Sequence, residues 1–237
     1  MKRLIITADD FGASPEVNRA VESHHREGVL TRAGLMVEGK AVEGALDIAR
    51  RNPALRIGLH LVLAENRPAW NGIRWVLSPG ARRQMEADLA RQFRRFIQLG
   101  LRPTWWDGHF HLHLHPLAMA AAISVARGVG FSQVRLVRHH GGGGPAAAIS
   151  GLLAKAFEPA LATAGIGWVP RVFGLGFSGN ATTHAVERLL RTLPDGLSEL
   201  YCHPGAESAP WDFPRIRRAM EAGGIALTDG LDGDQSR

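Results

Sequence analysis

Short apolar runs alternate with longer amphipathic stretches along the whole chain, and each change of period marks a predicted element. Continuous or period-two apolar patterning predicts strands over residues 4–7, 32–37, 56–62, 104–109, 133–137, 168–172 and 198–202, with a last one at 225–227. Helical spacing predicts helices over 15–27, 41–51, 81–99, 116–128, 146–164, 183–193 and 212–222. Their ends carry the expected punctuation. Ser14-Pro15 reads as an N-cap followed by proline at the first helical position, and Gly28, Asn52-Pro53 and Gly100 read as stops. Residues 64–80 hold prolines, glycines, Trp70 and Trp75 without a clear period and read as a loop over the strand ends. The glycine run at 141–144 reads as a flexible joint, too short to separate two domains. The alternation predicts an α/β fold with a largely parallel sheet. It fits a single-domain, irregular (β/α) barrel over residues 1–228, TIM-barrel-like, with about seven parallel strands, followed by a frayed tail over 229–237.

Composition narrows the class. A chain of 237 residues with 45% hydrophobic and 21% charged content has the make-up of an ordinary globular protein. The longest apolar run, 117–126, is interrupted by Ser124 and is about half of a bilayer span. Met1-Lys2-Arg3 passes straight into the first strand, which leaves no signal-peptide pattern, so a cytoplasmic location is expected. Cys202 is the single cysteine, which excludes a disulfide framework or thiolate cluster; it reads as a buried filler beside His203. The formal charge of +6 and pI near 10.6 raise the question of nucleic acid. The excess is arginine spread along the chain, with no basic motif interleaved with aromatics, so no nucleic-acid partner is expected. Arg82, Arg83, Arg91, Arg94, Arg95 and Arg102 gather on or beside one predicted helix. A solvated face is the plainer reading of them, and peripheral contact with acidic membrane headgroups is the alternative. No pattern specifies an oligomeric state.

The chemistry-bearing residues fall where strands end. Thr7-Ala8-Asp9-Asp10-Phe11-Gly12 closes the first strand, Gly58-Leu59-His60-Leu61 lies in the third, and Asp107-Gly108-His109 closes the fourth. In a (β/α) barrel, carboxyl ends of strands are where working residues sit. A carboxylate and two imidazoles from separate strands suit one divalent ion with positions left open. Of Asp9 and Asp10, one can bind the ion and the other act as base, since neighbouring carboxylates repel; alternatively one of them caps the helix or stabilises the turn. The tract from Asp107 to Pro116 also offers His111 and His113. As an extended strand at ~3.3 Å per residue it would carry Asp107 and His113 about 20 Å apart, too far for one ion. His109 is therefore the favoured ligand, with His111 and His113 lining the pocket or supporting the ligands. Arg135, on the strand after the tract, can pair with Asp9, and His203, in Tyr201-Cys202-His203-Pro204-Gly205, can serve as general acid. Trp70 and Trp75 are suited to stacking on a sugar ring. His24, His25, His139, His140 and His184 show no partner pattern and read as solvated or local.

Taken together, TADDFG, GLHLVL, DGHFHLH and ELYCHPG resemble the YdjC-like carbohydrate deacetylases, which include the chitooligosaccharide deacetylases, over roughly residues 3–205. The segments SPEVNRAVESHHREGVLTRAGLMVEG and ARRQMEADLARQF look most like the branch associated with hopanoid biosynthesis. The resemblance implies a metal-dependent hydrolase that removes the N-acetyl group from an acetylated amino sugar, in that branch an N-acetylglucosaminyl hopanoid lipid. It implies that Asp10, His60 and His109 hold the metal, that Asp9 is the base and His203 the acid, and that Arg135 matches an arginine on the strand after the histidine tract. The segment following His60 is shorter than in chitooligosaccharide members, which speaks against oligosaccharides in particular. Two histidines and one carboxylate suit zinc, with magnesium the other candidate. Competing with these expectations are a chitooligosaccharide deacetylase and a non-catalytic sugar- or lipid-binding barrel whose metal is structural.

Overall fold

The computed structural model of the chain describes residues 1–137, 144–177, 181–206 and 211–231. In chain order the elements are β1 (Lys2–Phe11), α1 (Pro15–Arg26), β2 (Arg32–Leu35), α2 (Val42–Arg51), β3 (Arg56–Leu61), α3 (Pro68–Leu77) and α4 (Pro79–Gln98). There follow β4 (Trp105–Gly108), α5 (Pro116–Val129), β5 (Gln133–Val134), α6 (Gly144–Ala164), β6 (Gly167–Trp168) and β7 (Val172–Phe173). The chain continues with α7 (Thr183–Thr192), β8 (Gly196–Cys202), α8 (Phe213–Ala222) and β9 (Ile225–Leu227).

Every strand pair is parallel, and the sheet runs β6-β5-β4-β3-β2-β1-β8-β7. The ten-residue β1 is its axis. Its first half pairs with β9 and its second half with β2, while β8 runs alongside from Lys2 to Ala8. Such a strand is enclosed on both sides, so Leu4, Ile5 and Ile6 are all buried and no polar–apolar alternation is needed. Among the described residues β6 and β7 end the sheet without pairing to each other, giving a curved, open barrel wrapped by helices.

Two predicted boundaries are corrected. The strand expected over 168–172 is two short strands, β6 and β7, at opposite ends of the sheet. Pro170 lies between them and has no N–H to donate to a ladder. The loop expected over 64–80 contains α3 and the start of α4. Pro68 occupies the first helical turn of α3, and Trp75 packs edge-on to His115 with ring centroids 5.1 Å apart. Apolar residues around the whole circumference of α3 hide its helical period. The glycine run lies outside the described residues except for Gly144, as do His139, His140 and tail residues 232–237.

Glycines mark close approaches in the sheet. Gly58 lies against the Trp105 ring, which a Cβ there would overlap. Gly34 on β2 leaves room for His60, whose Nδ1 would stand 3.3 Å from a Cβ at that position.

Candidate metal centre

Asp9 and Asp10 reach different places because β1 bulges between Ala8 and Phe11 and Asp10 turns to φ 63°. Asp9 is buried, whereas the Asp10 side chain keeps 17% exposure at the rim of a cleft. Neither carboxylate caps the following helix: Ser14 Oγ accepts from the Val17 N–H, and Asn18 Oδ1 accepts from the Gly12 N–H at 2.8 Å.

His60 arrives from β3, next to Asp107 in the β3–β4 register. Its Nδ1–H donates to Asp107 Oδ1 at 2.7 Å, which fixes the ring with Nε2 facing Asp10 Oδ1, 3.3 Å away. His60 Nε2 is buried and makes no hydrogen bond. His109 completes the group, with Nδ1 2.9 Å from the same Asp10 oxygen. One ligand atom from each of Asp10, His60 and His109 lies within 4.8 Å of the others. An orphaned imidazole nitrogen facing a carboxylate and a second imidazole is the donor set a divalent cation satisfies. The residues fit such an ion.

A second close set, Asp9, His60 and Asp107, is already served by a cation of the chain itself. Arg135, just after β5, places Nη1 2.9 and 2.8 Å from the two Asp9 oxygens and also against Asp107 Oδ2. Its Nε donates to Glu199 Oε1 on β8 at 2.9 Å, and its guanidinium lies 4.8 Å from the Tyr201 ring centre. A metal there would meet a buried positive charge.

These placements set the protonation states. Burial raises the Asp9 carboxyl, outweighing the Arg135 charge that draws it down. For Asp10, burial is overcome by the hydrogen bond with His109 and by the nearby His60 imidazole, which hold the carboxyl well below the usual range. Asp107 is likewise held low against burial, by Arg135 and His60. Burial would drive the His60 imidazolium to lose its proton, but Asp107 and Asp10 hold that proton well above the ordinary range. An ion taken up at Nε2 must therefore displace a proton.

The histidine tract behaves differently from an extended strand. Strand β4 stops at Gly108, and His109–Leu114 form a tight 3-10 turn with Phe110 and His111 at φ 54° and 55°. His113 turns inward, fully buried, and its Nε2–H donates to the Arg135 carbonyl at 2.9 Å, so it does not line the cleft. His111 Nε2 contacts the Tyr201 hydroxyl at 2.9 Å. Burial pushes His111 well below its usual value and lowers His113 to about 4.

His203 follows β8, close enough for its charge to bear on Asp9. The cleft above Asp10 and His109 has a volume of about 620 Å³ and is walled by Met36, Glu38, Val62, Glu65 and Arg91. The two tryptophans expected to stack on a sugar are not in it. Trp75 is on the buried side of α3, lining a separate groove with His115, and Trp70 is 54% exposed on the outside of that helix. His24, read as solvated or local, has a local contact, Nδ1 2.7 Å from the Ala20 carbonyl oxygen, and is buried against Trp211 and Phe213. Asp107 and Glu199 were not singled out as partners of these groups. The signal available was a charged residue within an apolar strand, which inside a barrel demands a partner.

The fold and these side chains define an α/β barrel with a candidate divalent-cation centre at the carboxyl ends of its strands. The chain matches the model of the YdjC-like protein family over residues 3–223, and it belongs to that family. A "Carbohydrate deacetylase" of Homo sapiens is 31% identical, with the match covering 88% of this chain and 76% of that protein. One of Brevibacillus brevis is 34% identical, covering 52% of this chain and 55% of the relative, so the match spans about half of that protein's length. Among solved structures, an Enterococcus faecalis V583 protein named for a proposed role in cellobiose-phosphate cleavage superimposes with TM-score 0.72 at 20% identity. That likeness covers 96% of this chain and 97% of the other, and it shows the shared fold.

Proposed function

We propose that this protein is a metal-dependent carbohydrate N-deacetylase, with Asp10, His60 and His109 as ligands of one divalent cation, zinc on ligand type and magnesium as the other candidate. The observation that carries the proposal is the buried, unpartnered Nε2 of His60 facing Asp10 and His109, beside a carboxylate held by Arg135. The deacetylase names of its relatives supply the reaction class.

An amide is a poor electrophile, and its amine is a poor leaving group without a proton. When bound, the cation supplies Lewis acidity, polarising the carbonyl and acidifying a water. Asp9 takes up the proton from the attacking water; its raised affinity for a proton suits a base, and Arg135 Nη1, in contact with both carboxylate oxygens, keeps them oriented. His203 donates a proton to the departing amine nitrogen. Asp107 holds the His60 ring in the ligating tautomer. Bare burial would leave Asp9 free to rotate, and Arg135 removes that freedom.

The finer reading takes an N-acetylglucosaminyl lipid of hopanoid type as substrate, supported by the likeness of the stretches from Ser14 and from Ala81 to that branch. Acetate release from N-acetylglucosaminyl lipid and from N,N′-diacetylchitobiose tests both levels, with chelator and with zinc or magnesium restored. Release that chelator abolishes and metal restores is expected, with the lipid preferred. Asp9→Asn should retain metal while turnover falls about 10²- to 10⁴-fold. No acetate from either substrate with any metal would overturn the proposal.

A further inference from the structure

Helix α3 presents apolar residues on both sides. At 3.6 residues per turn, Gly72 and Trp75 share its buried side. Trp70, Ile73 and Leu77 fall together on the opposite side, 54%, 49% and 74% exposed, and Val76 lies on the flank between the two sides, 66% exposed. No described element covers this ridge. From Asn66 to Met85 the chain contains no aspartate or glutamate, while Arg67, Arg74, Arg82 and Arg83 all stand exposed around it. The stripe formed by the rest of α4 is unlike this. There Arg91 is paired with Glu38 and Asp88; near α3, Arg82 is paired with Glu86, which leaves Arg67, Arg74 and Arg83 as the exposed cations that fringe the ridge.

The ridge also adjoins the cleft. Glu65 walls the cleft and α3 begins three residues later. Beneath α3 the edge-on packing of Trp75 against His115 ties the helix to the turn that carries His109. Phe110, beside His109, is another large apolar side chain in the open, at 49% exposure. Between α3 and the starts of α4 and α5 runs a groove of about 410 Å³ lined by Trp75, Val76, Pro79, Arg82, His115 and Pro116.

We propose that α3 is a docking helix that seats the protein on an anionic lipid surface. Its Trp70–Leu77 ridge would enter the boundary between headgroups and acyl chains, and the arginines would meet the headgroups. Charge selects this occupant. A ridge fringed by Arg67, Arg74 and Arg83, with no acid in the segment from Asn66 to Met85, is complementary to anionic lipid, while a two-fold-related copy would bring like charges together. Size agrees: four side chains on one short helix offer a patch of a few hundred Å², short of the roughly 800 Å² per partner in a stable dimer. An exposed tryptophan beside aliphatic residues is the composition of membrane-interface belts. Among the described residues no helix is long and apolar enough to cross a membrane, so α3 would lie in the surface plane. The inference stands whichever acylated sugar the cleft accepts.

Vesicle flotation of the full chain tests it, using phosphatidylcholine with and without phosphatidylglycerol. Partitioning onto the anionic vesicles is expected, weakened by salt, with a blue shift of tryptophan emission that Trp70→Ser diminishes. Val76→Ser combined with Leu77→Ser should lower the partition coefficient at least tenfold. Arg67→Ala and Arg74→Ala should each lower it about fivefold on anionic vesicles only. The serine variants should keep the melting temperature and the rate on a water-soluble acetylated sugar, so a failure of docking is separable from a failure of the deacetylase reading. Three results would overturn the proposal. One is absence of partitioning onto either vesicle. A second is partitioning that the double serine variant leaves intact. The third is a dimer by sedimentation that the double variant dissolves, without vesicle binding.

Discussion

Replacing Arg135 by methionine removes the guanidinium that touches Asp9, Asp107 and Glu199. Methionine fills much of the volume, so packing changes little and the loss is electrostatic. Each of the three carboxylates is essentially inaccessible to water. His60 remains for Asp107 and the Thr7 hydroxyl for Glu199, but Asp9 loses the one cation that its carboxylate contacts among the described residues. Breaking a buried pair from one side costs about 3–5 kcal/mol. For a chain of this size that lowers Tm by roughly 10 °C. The deficit should depend on pH in a defined sense. Without Arg135 the folded-state carboxyls take up protons more readily than in the unfolded chain, so acidification from neutrality relieves the variant. In the parent, Asp107 is held low and its contribution is lost as pH falls. The gap between the two proteins must therefore narrow toward about pH 4, near the unfolded carboxylate value. Urea denaturation of both proteins between pH 7 and pH 4 measures it. A deficit below about 1 kcal/mol at neutral pH, or one that widens on acidification, would refute the account of Arg135 as the counter-charge of this cluster.

Other outcomes follow from the same geometry. Asp107→Asn should weaken metal binding about 10- to 100-fold by isothermal titration, since the bond that orients His60 is altered; unchanged affinity would remove Asp107 from that role. Asp10→Ala and His60→Ala should lose bound metal and activity together, read by metal analysis of the purified protein alongside acetate release. Gly58→Ala forces a methyl into the Trp105 ring and should cost about 1–3 kcal/mol in urea denaturation. Burial lowers His113 to about 4 against an unfolded value near 6.5, so the unfolded chain binds the extra proton between those values. Stability should thus fall as pH drops from about 6.5 to 4, by an amount on the order of 3 kcal/mol. His113→Gln should flatten that slope, and an unchanged slope would count against a neutral buried imidazole.

Much of the arrangement was legible because parallel strands deliver their carboxyl ends to one face. Once the apolar runs were placed, the positions of Asp10, His60 and His109 at or near strand ends followed from the chain itself. Helix starts were legible from local chemistry, such as Ser14-Pro15, which the structure shows as a capped first turn. Patterns that imitate another element were not legible. The alternating His-Phe-His-Leu-His-Leu tract reads as a strand by period, yet two successive left-handed residues coil it and send His113 into the core. Helix α3 has apolar residues on every side, so its period vanishes against the expectation of a polar outer face. In the sequence Asp107 is one of several residues of a tract that a single ion cannot hold entire; only its neighbouring position to His60 in the sheet shows that it serves the ligand. His24 depends on Trp211 and Phe213, contacts between distant parts of the chain that no local pattern announces.

The left-handed backbone at Asp10, Phe110 and His111 has a consequence for anyone improving this chain. Non-glycine residues in that region cost on the order of 1 kcal/mol or more each, so glycine at Phe110 would give a sturdier resting fold. It would also slacken the turn that presents His109. The hardiest variant of this protein and the one that grips its ion most firmly should therefore be different molecules.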